Sequence, residues 1–144
     1  MTCDNCYISG NLIDSVANKF SFLLKCDLNG NVIYSKATPQ GSFAVTGNYY
    51  NVGLTVSSGD AVYASEVCAG CDSTMINKFD ASGNLVFKKA IHLQGSAYQI
   101  NYHPQTNQIL LSGLKSIGIN WESLFIRLDS NGNVLSSRYF QDTL

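Results

Sequence analysis

Charge is what this sequence most lacks. Of its 144 residues, 13% are Asp, Glu, Lys or Arg, well under the quarter typical of soluble domains. Nine basic against ten acidic side chains leave a net charge of −1. No basic face is available to neutralise phosphates, so no nucleic-acid partner is expected. Sparse charge beside 45% hydrophobic residues also excludes a disordered chain. Long apolar runs are absent too. The two longest uncharged stretches, 37–59 and 90–114, are broken throughout by Gly, Asn, Gln, Ser and Pro. Neither approaches the roughly 20 apolar residues of a membrane helix, so no membrane insertion is expected. Met1-Thr2-Cys3-Asp4-Asn5-Cys6 has no basic region followed by an apolar core, so no signal peptide is visible. There is no Asn-x-Ser/Thr acceptor for N-glycosylation.

Catalytic signatures are equally scarce. The sequence holds no Gly-x-Ser-x-Gly elbow, no phosphate loop and no His-x-x-x-His pair. His92 and His103 fall on different connections, and few charged groups remain to couple as acid and base. The expectation is a non-enzyme without a cofactor. Glu66, Asp72 and Glu122 are the acidic groups nearest the longer loops.

What the chain does have is a repeat. Ser21–Lys36, Thr74–Lys89 and Ser123–Arg138 align without a gap, and their aspartates Asp27, Asp80 and Asp129 are spaced by 53 and 49 residues. Gln40-Gly41-Ser42 recurs as Gln94-Gly95-Ser96, 54 residues on. Each aligned segment reads as a hairpin: Val, Ile, Leu, Phe and Tyr in runs, joined by Asp-x-(Asn/Ser)-Gly-Asn. In that turn Asp27, Asp80 and Asp129 accept backbone N–H bonds, and Gly30, Gly83 and Gly132 supply positive φ before Asn31, Asn84 and Asn133. Further strands precede each hairpin: Tyr50–Val56 and Ala61–Glu66, then Tyr98–His103 and Gln108–Gly113, but only Cys6–Gly10 in the first repeat. No segment sustains a helical apolar period.

Four antiparallel strands per repeat of about 50 residues predict β-propeller-type blades, a partial propeller of about three blades. The boundaries are a partial blade 1 over 1–39, blade 2 over 40–93 and blade 3 over 94–144, all in one β-repeat domain. Lys25-x-Asp27-x-Asn29-Gly30-Asn31, followed by an apolar strand and Ser35-Lys36, resembles the bacterial β-propeller repeat family with delta-60-like repeats. The resemblance spans Cys6 to Phe140 and implies a secreted or cell-surface protein. This sequence departs from the family pattern after the turn, where the usual aromatic, typically Trp, is Tyr34, Phe87 and Ser136. Propellers close with four to eight blades, so the partner is either a second copy of the chain or the remaining blades of a longer one. An open assembly, including a filament, is the third possibility.

The strand map puts short turns (27–31, 57–60, 80–84, 104–107, 129–133) on one face and longer loops (11–19, 38–50, 66–72, 92–97, 114–121) on the other. Any ligand site belongs with the long loops, where Tyr49, Tyr50, His92, Asn120 and Trp121 are the candidates. Stacking aromatics would suit a glycan, and packing between blades is the plainer alternative. The cysteines Cys3, Cys6, Cys26, Cys68 and Cys71 include two Cys-x-x-Cys pairs of zinc-ligand spacing. The pairs sit at opposite strand ends, about 20 Å apart, so no metal is expected. Cys26 fills the apolar slot of Phe79 and Leu128, with a disulfide to Cys3 or Cys6 also open. The Asp turns are too short for a calcium loop. Lys25, Lys78 and Arg127 stand two residues before those aspartates and are expected to pair weakly with them. Lys36, Lys89 and Arg138 recur on the next strand, and their repetition points to a structural role in every blade.

Overall fold

A computed structural model describes residues 5–16, 19–39, 48–69, 73–92, 95–117 and 120–141. The strands are β1 (Asn5–Ile13), β2 (Lys19–Asp27), β3 (Val32–Pro39), β4 (Asn48–Val56), β5 (Val62–Ala69), β6 (Ser73–Phe79), β7 (Leu85–His92), β8 (Ser96–His103), β9 (Gln108–Ile117), β10 (Asn120–Asp129) and β11 (Val134–Phe140). The described residues contain no helix. Three antiparallel sheets form in sequence order: β1-β2-β3, β4-β5-β6-β7 and β8-β9-β10-β11. The first sheet has three strands, as the truncated first repeat predicts.

One turn design closes the last hairpin of every sheet. Gly30 N–H donates to the Asp27 carbonyl at 3.1 Å and Asp27 N–H to the Asn31 carbonyl at 3.0 Å, with matching bonds at 80–84 and 129–133. The glycines take φ of 84°, 78° and 77°, the left-handed region that disfavours residues with a Cβ. A one-residue bulge follows on the next strand, so Lys25 pairs with Tyr34, Lys78 with Phe87 and Arg127 with Ser136. The tight turn, the glycine and the bulge form one unit that raises local twist. Two other short turns place Asp60 and Asn107 in the left-handed region instead, at φ 60° and 52°.

The sheets stack face to face with the second in the middle. Strand β6 shows the consequence, since six of its seven residues, Ser73–Ile76, Asn77 and Phe79, are buried on one face or the other. In β10 alternate residues Leu124, Ile126 and Leu128 are buried while Ser123 and Arg127 are exposed. Leu23, Val62, Ala64 and Phe79 cluster between the first two sheets. A larger cluster, including Ile76, Ile100, Ile109, Leu111 and Ile126, fills the space between the second and third.

Strand lengths correct part of the loop map. The connections expected at 11–19, 38–50 and 114–121 shrink because pairing runs on: β1 reaches Ile13, β4 begins at Asn48, and Asn120 and Trp121 pair with Ile117 and Ser116. Continued ladder bonding satisfies backbone groups that a loop would leave to water.

Candidate functional site

The residues expected to bind a ligand do lie toward the long-loop ends of their strands, but they do not converge. Tyr49 and Tyr50 belong to β4, opposite Cys68 and Val67, and their side chains lie outside the described residues. His92 ends β7, the opposite edge of that sheet. Three inter-strand spacings separate those edges, about 14 Å. Asn120 and Trp121 sit on β10 rather than on a loop. Trp121 shares the face of Ser123 and Arg127, turned away from the second sheet, and is 62% exposed. It is therefore not packed between the described sheets.

The cysteines divide. Cys3 and Cys71 lie outside the described residues, as does the side chain of Cys68. Cys6 and Cys26 face each other in the β1–β2 register, yet both are free thiols. Cys26 is 9% exposed and packs as a small hydrophobe, whereas Cys6 is exposed to solvent. Among the described residues no group of three His, Cys, Asp or Glu side chains could hold a metal ion. His103 Nδ1 lies 2.9 Å from Thr106 Oγ1 within its own turn.

At the short turns the design is strict. Asp27 Oδ1 accepts from the N–H groups of Asn29 (2.9 Å) and Asn31 (2.8 Å), while Oδ2 accepts from the Asn31 amide (2.8 Å). Asp80 does the same with Ser82 and Asn84, and Asp129 with Asn131 and Asn133. These bonds favour the ionised form. The Asn31 side chain, then its backbone N–H, hold Asp27 below the usual carboxylate range. The backbone N–H groups of Asn84 and Asn133 lead in doing so for Asp80 and Asp129. Each carboxylate thus accepts three hydrogen bonds from its own turn.

The lysines do not pair with those aspartates. Lys25 Nζ reaches Asp60 Oδ2 in the next sheet at 3.4 Å and lies 5.1 Å from the centre of the Tyr7 ring. Lys78 Nζ donates to the Ser130 carbonyl of the third sheet at 3.0 Å, over the Tyr63 ring. Arg127 donates to Gln108 within its own sheet. The expected pairing gives way to contacts across the seams, where Lys25 and Lys78 reach oxygens of the neighbouring sheet.

Sequence reasoning missed what Lys25 and Lys78 do instead: they join one sheet to the next. The Tyr34 ring covers Gly83 so closely that a Cβ there would stand 2.6, 2.8 and 2.9 Å from three ring carbons. Phe87 covers Gly132 alike, with a Cβ 2.9 and 3.0 Å from ring carbons and 3.3 Å from Lys89 Cδ. Lys89 Nζ then donates to the Asn131 carbonyl at 2.6 Å and to Asn133 Oδ1 at 2.9 Å. Lys36, at the equivalent position, acts on the second turn through its charge, which further lowers the Asp80 carboxyl pKa. The legible signal was the recurrence of Tyr34/Phe87 and Lys36/Lys89 at equal positions in successive repeats.

Two polar features remain. Glu66, wholly buried, pairs with Lys88 at 3.4 Å and accepts from the Asn77 amide. This removes Glu66 from the acids available at the loop end. An open depression near the short turns is lined by Tyr63, Lys78, Tyr102, Asn107 and Ser130. The Tyr63 and Tyr102 rings stack there at 6.3 Å with 7° between planes. Tyr63 Oη and Lys78 both donate to the Ser130 carbonyl, so both groups serve the contact between the sheets.

No family model matches the chain, and no curated protein matches it.

Proposed function

We propose that this chain is a non-catalytic β-propeller repeat module, an extracellular or cell-surface structural and adhesion scaffold. It works by association with further sheets of its own kind, from a second copy or a longer polypeptide. One observation carries the reading: the aromatic-on-glycine contact made by Tyr34 on Gly83 is made again by Phe87 on Gly132. A contact that repeats with the sequence repeat belongs to an array, in which each unit buries its face only against a neighbour. The carboxylates of the turns and the buried Glu66 are all bonded to structural partners, which leaves them to hold the fold. Abundant Asn and Ser with few charges suit a surface exposed outside the cell.

The exposed Trp121 supports a second reading, a carbohydrate-binding propeller, since aromatic rings stack on sugars. A glycan array separates the two. The scaffold reading expects no saturable signal, and binding that disappears in Trp121→Ala would replace it with the lectin. Light scattering on the 144-residue chain tests assembly. A monomer that also gains no mass when joined to further repeats would defeat the scaffold.

A further inference from the structure

Resting on the scaffold reading, we infer that the first sheet is the receiving end of the array. Its outward face and the turn at Gly30 dock a further sheet of this repeat type. That sheet carries an aromatic side chain where Tyr34 and Phe87 stand, and a lysine or arginine where Lys36 and Lys89 stand.

The two internal seams define what such a partner looks like. In both, a ring from the strand after one turn closes over the glycine of the next turn, and a lysine accompanies it: Lys89 donates to oxygens of the third turn, and the charge of Lys36 acts on Asp80 in the second. Gly30 has the same backbone, with φ of 84° and the same pair of turn bonds. Yet no heavy atom of the described residues comes within 4 Å of where its Cβ would be. Among the described residues nothing occupies this seat.

The face around it is apolar. Strand alternation puts Ile8, Leu12, Phe22, Leu24 and Val32 together on the side away from the second sheet. Ile8 and Leu12 are 49% and 47% exposed. The equivalent face of the third sheet, with Leu124, Ile126 and Leu128, is fully buried by the second sheet. A face of this kind is covered wherever the repeat has a neighbour. The Asp27 carboxylate and the turn carbonyls present negative charge at its edge, complementary to the cation that Lys89 brings to the third turn.

The third sheet of a second copy is not this partner. At the position of Tyr34 and Phe87 it has Ser136, paired with Arg127, and Leu110 stands where the first two sheets have Tyr7 and Tyr63. Stacked head to tail, a second copy would set a hydroxymethyl group over Gly30. The cation survives as Arg138, but the ring is gone.

Restoring the ring tests the idea. Ser136→Phe, and separately Ser136→Tyr, turn the chain's own third sheet into the partner described. Light scattering on the full chain should show mean mass rising with concentration above that of the wild type. Adding Gly30→Asn should abolish the rise, because Asn tolerates positive φ while its side chain fills the seat. Both Ser136 variants staying at the wild-type mass would overturn the inference, as would association that survives Gly30→Asn. Gly83→Asn separates this failure from a deeper one. It should lower the unfolding midpoint by colliding with Tyr34, whereas Gly30→Asn alone should not. If Gly83→Asn left the midpoint unchanged, the stacked-array reading itself would fall. A lower midpoint with silent Ser136 variants would sink only the docking inference.

Discussion

Among the described residues, ten apolar side chains are buried together between the second and third sheets, and four between the first and second. The polar groups differ as well. In the larger seam Thr74 Oγ1 accepts from the Ala97 N–H and Thr55 Oγ1 from the Tyr102 N–H, both at 3.0 Å. Tyr63 Oη and Lys78 share the Ser130 carbonyl. The smaller seam holds the buried Glu66–Lys88 pair, and among the described residues Asn77 Oδ1 and the Tyr34 hydroxyl have no hydrogen-bond partner there, against Ser65 Oγ in the larger seam. Equal backbones thus carry unequal adhesion. Apolar burial contributes about 25 cal/mol per Å², while a buried ion pair returns little beyond its own desolvation cost. The first sheet is the one expected to open before the others.

The sharpest way to break this comparison is at Glu66. Glu66→Ala leaves the Lys88 ammonium buried without its partner, and such losses cost about 3–5 kcal/mol. Replacing both, as Glu66→Leu with Lys88→Met, should recover most of that loss or exceed wild-type stability. Urea unfolding of the two variants measures the difference. If the single change cost no more than the double, the smaller seam would not be limited by its buried charge.

A gentler pair compares two tyrosine hydroxyls. Tyr63→Phe removes the donor to Ser130 and should cost about 0.5–1.5 kcal/mol. Tyr34→Phe keeps the ring on Gly83, installs the residue that Phe87 already is, and removes a buried hydroxyl without a partner. Burial, first of all, with Tyr7, Asp80 and Asp60 adding to it and Lys25 opposing, pushes that phenol's pKa up. Its removal should be neutral or slightly stabilising. Equal costs at the two positions would erase the distinction between the seams.

Much of this is legible in the sequence. Asp-x-(Asn/Ser)-Gly-Asn has one comfortable backbone, so the three hairpins and their partner strands could be read from local chemistry. Cys26 in the slot of Phe79 and Leu128 was readable as an apolar position for the same reason. Trp121 was misplaced onto a loop because strand ends depend on how far a neighbour keeps pairing. The destinations of Lys25 and Lys78 were hidden because each crosses to another sheet, and nothing local says which oxygen it will reach. Glu66 looked available near a loop, yet Lys88 and Asn77, far from it in sequence, close around it.

The smallest expected effect concerns the turns, which differ in whether a neighbouring sheet serves them. Asp27, Asp80 and Asp129 all titrate below the usual carboxylate value, near pH 4. Their folded pKa values are depressed, so their contribution is complete above that value and is lost as pH falls through the lower folded ones. Part of the depression at Asp80 and Asp129 comes from Lys36 and Lys89 across a seam. At Asp27 the leading causes are hydrogen bonds within its own turn. Salt screens exposed charge pairs, with a Debye length of about 10 Å at 0.1 M falling to about 3 Å at 1 M. Carboxyl-carbon NMR titrations at low and high salt should therefore move Asp80 and Asp129 upward and leave Asp27 where it was. Ser136→Phe supplies the converse: once Arg138 of another copy reaches the first turn, Asp27 should acquire the same salt dependence. An Asp27 already as salt-sensitive as the other two in the wild type would mean that a cation reaches the first turn without any docked sheet.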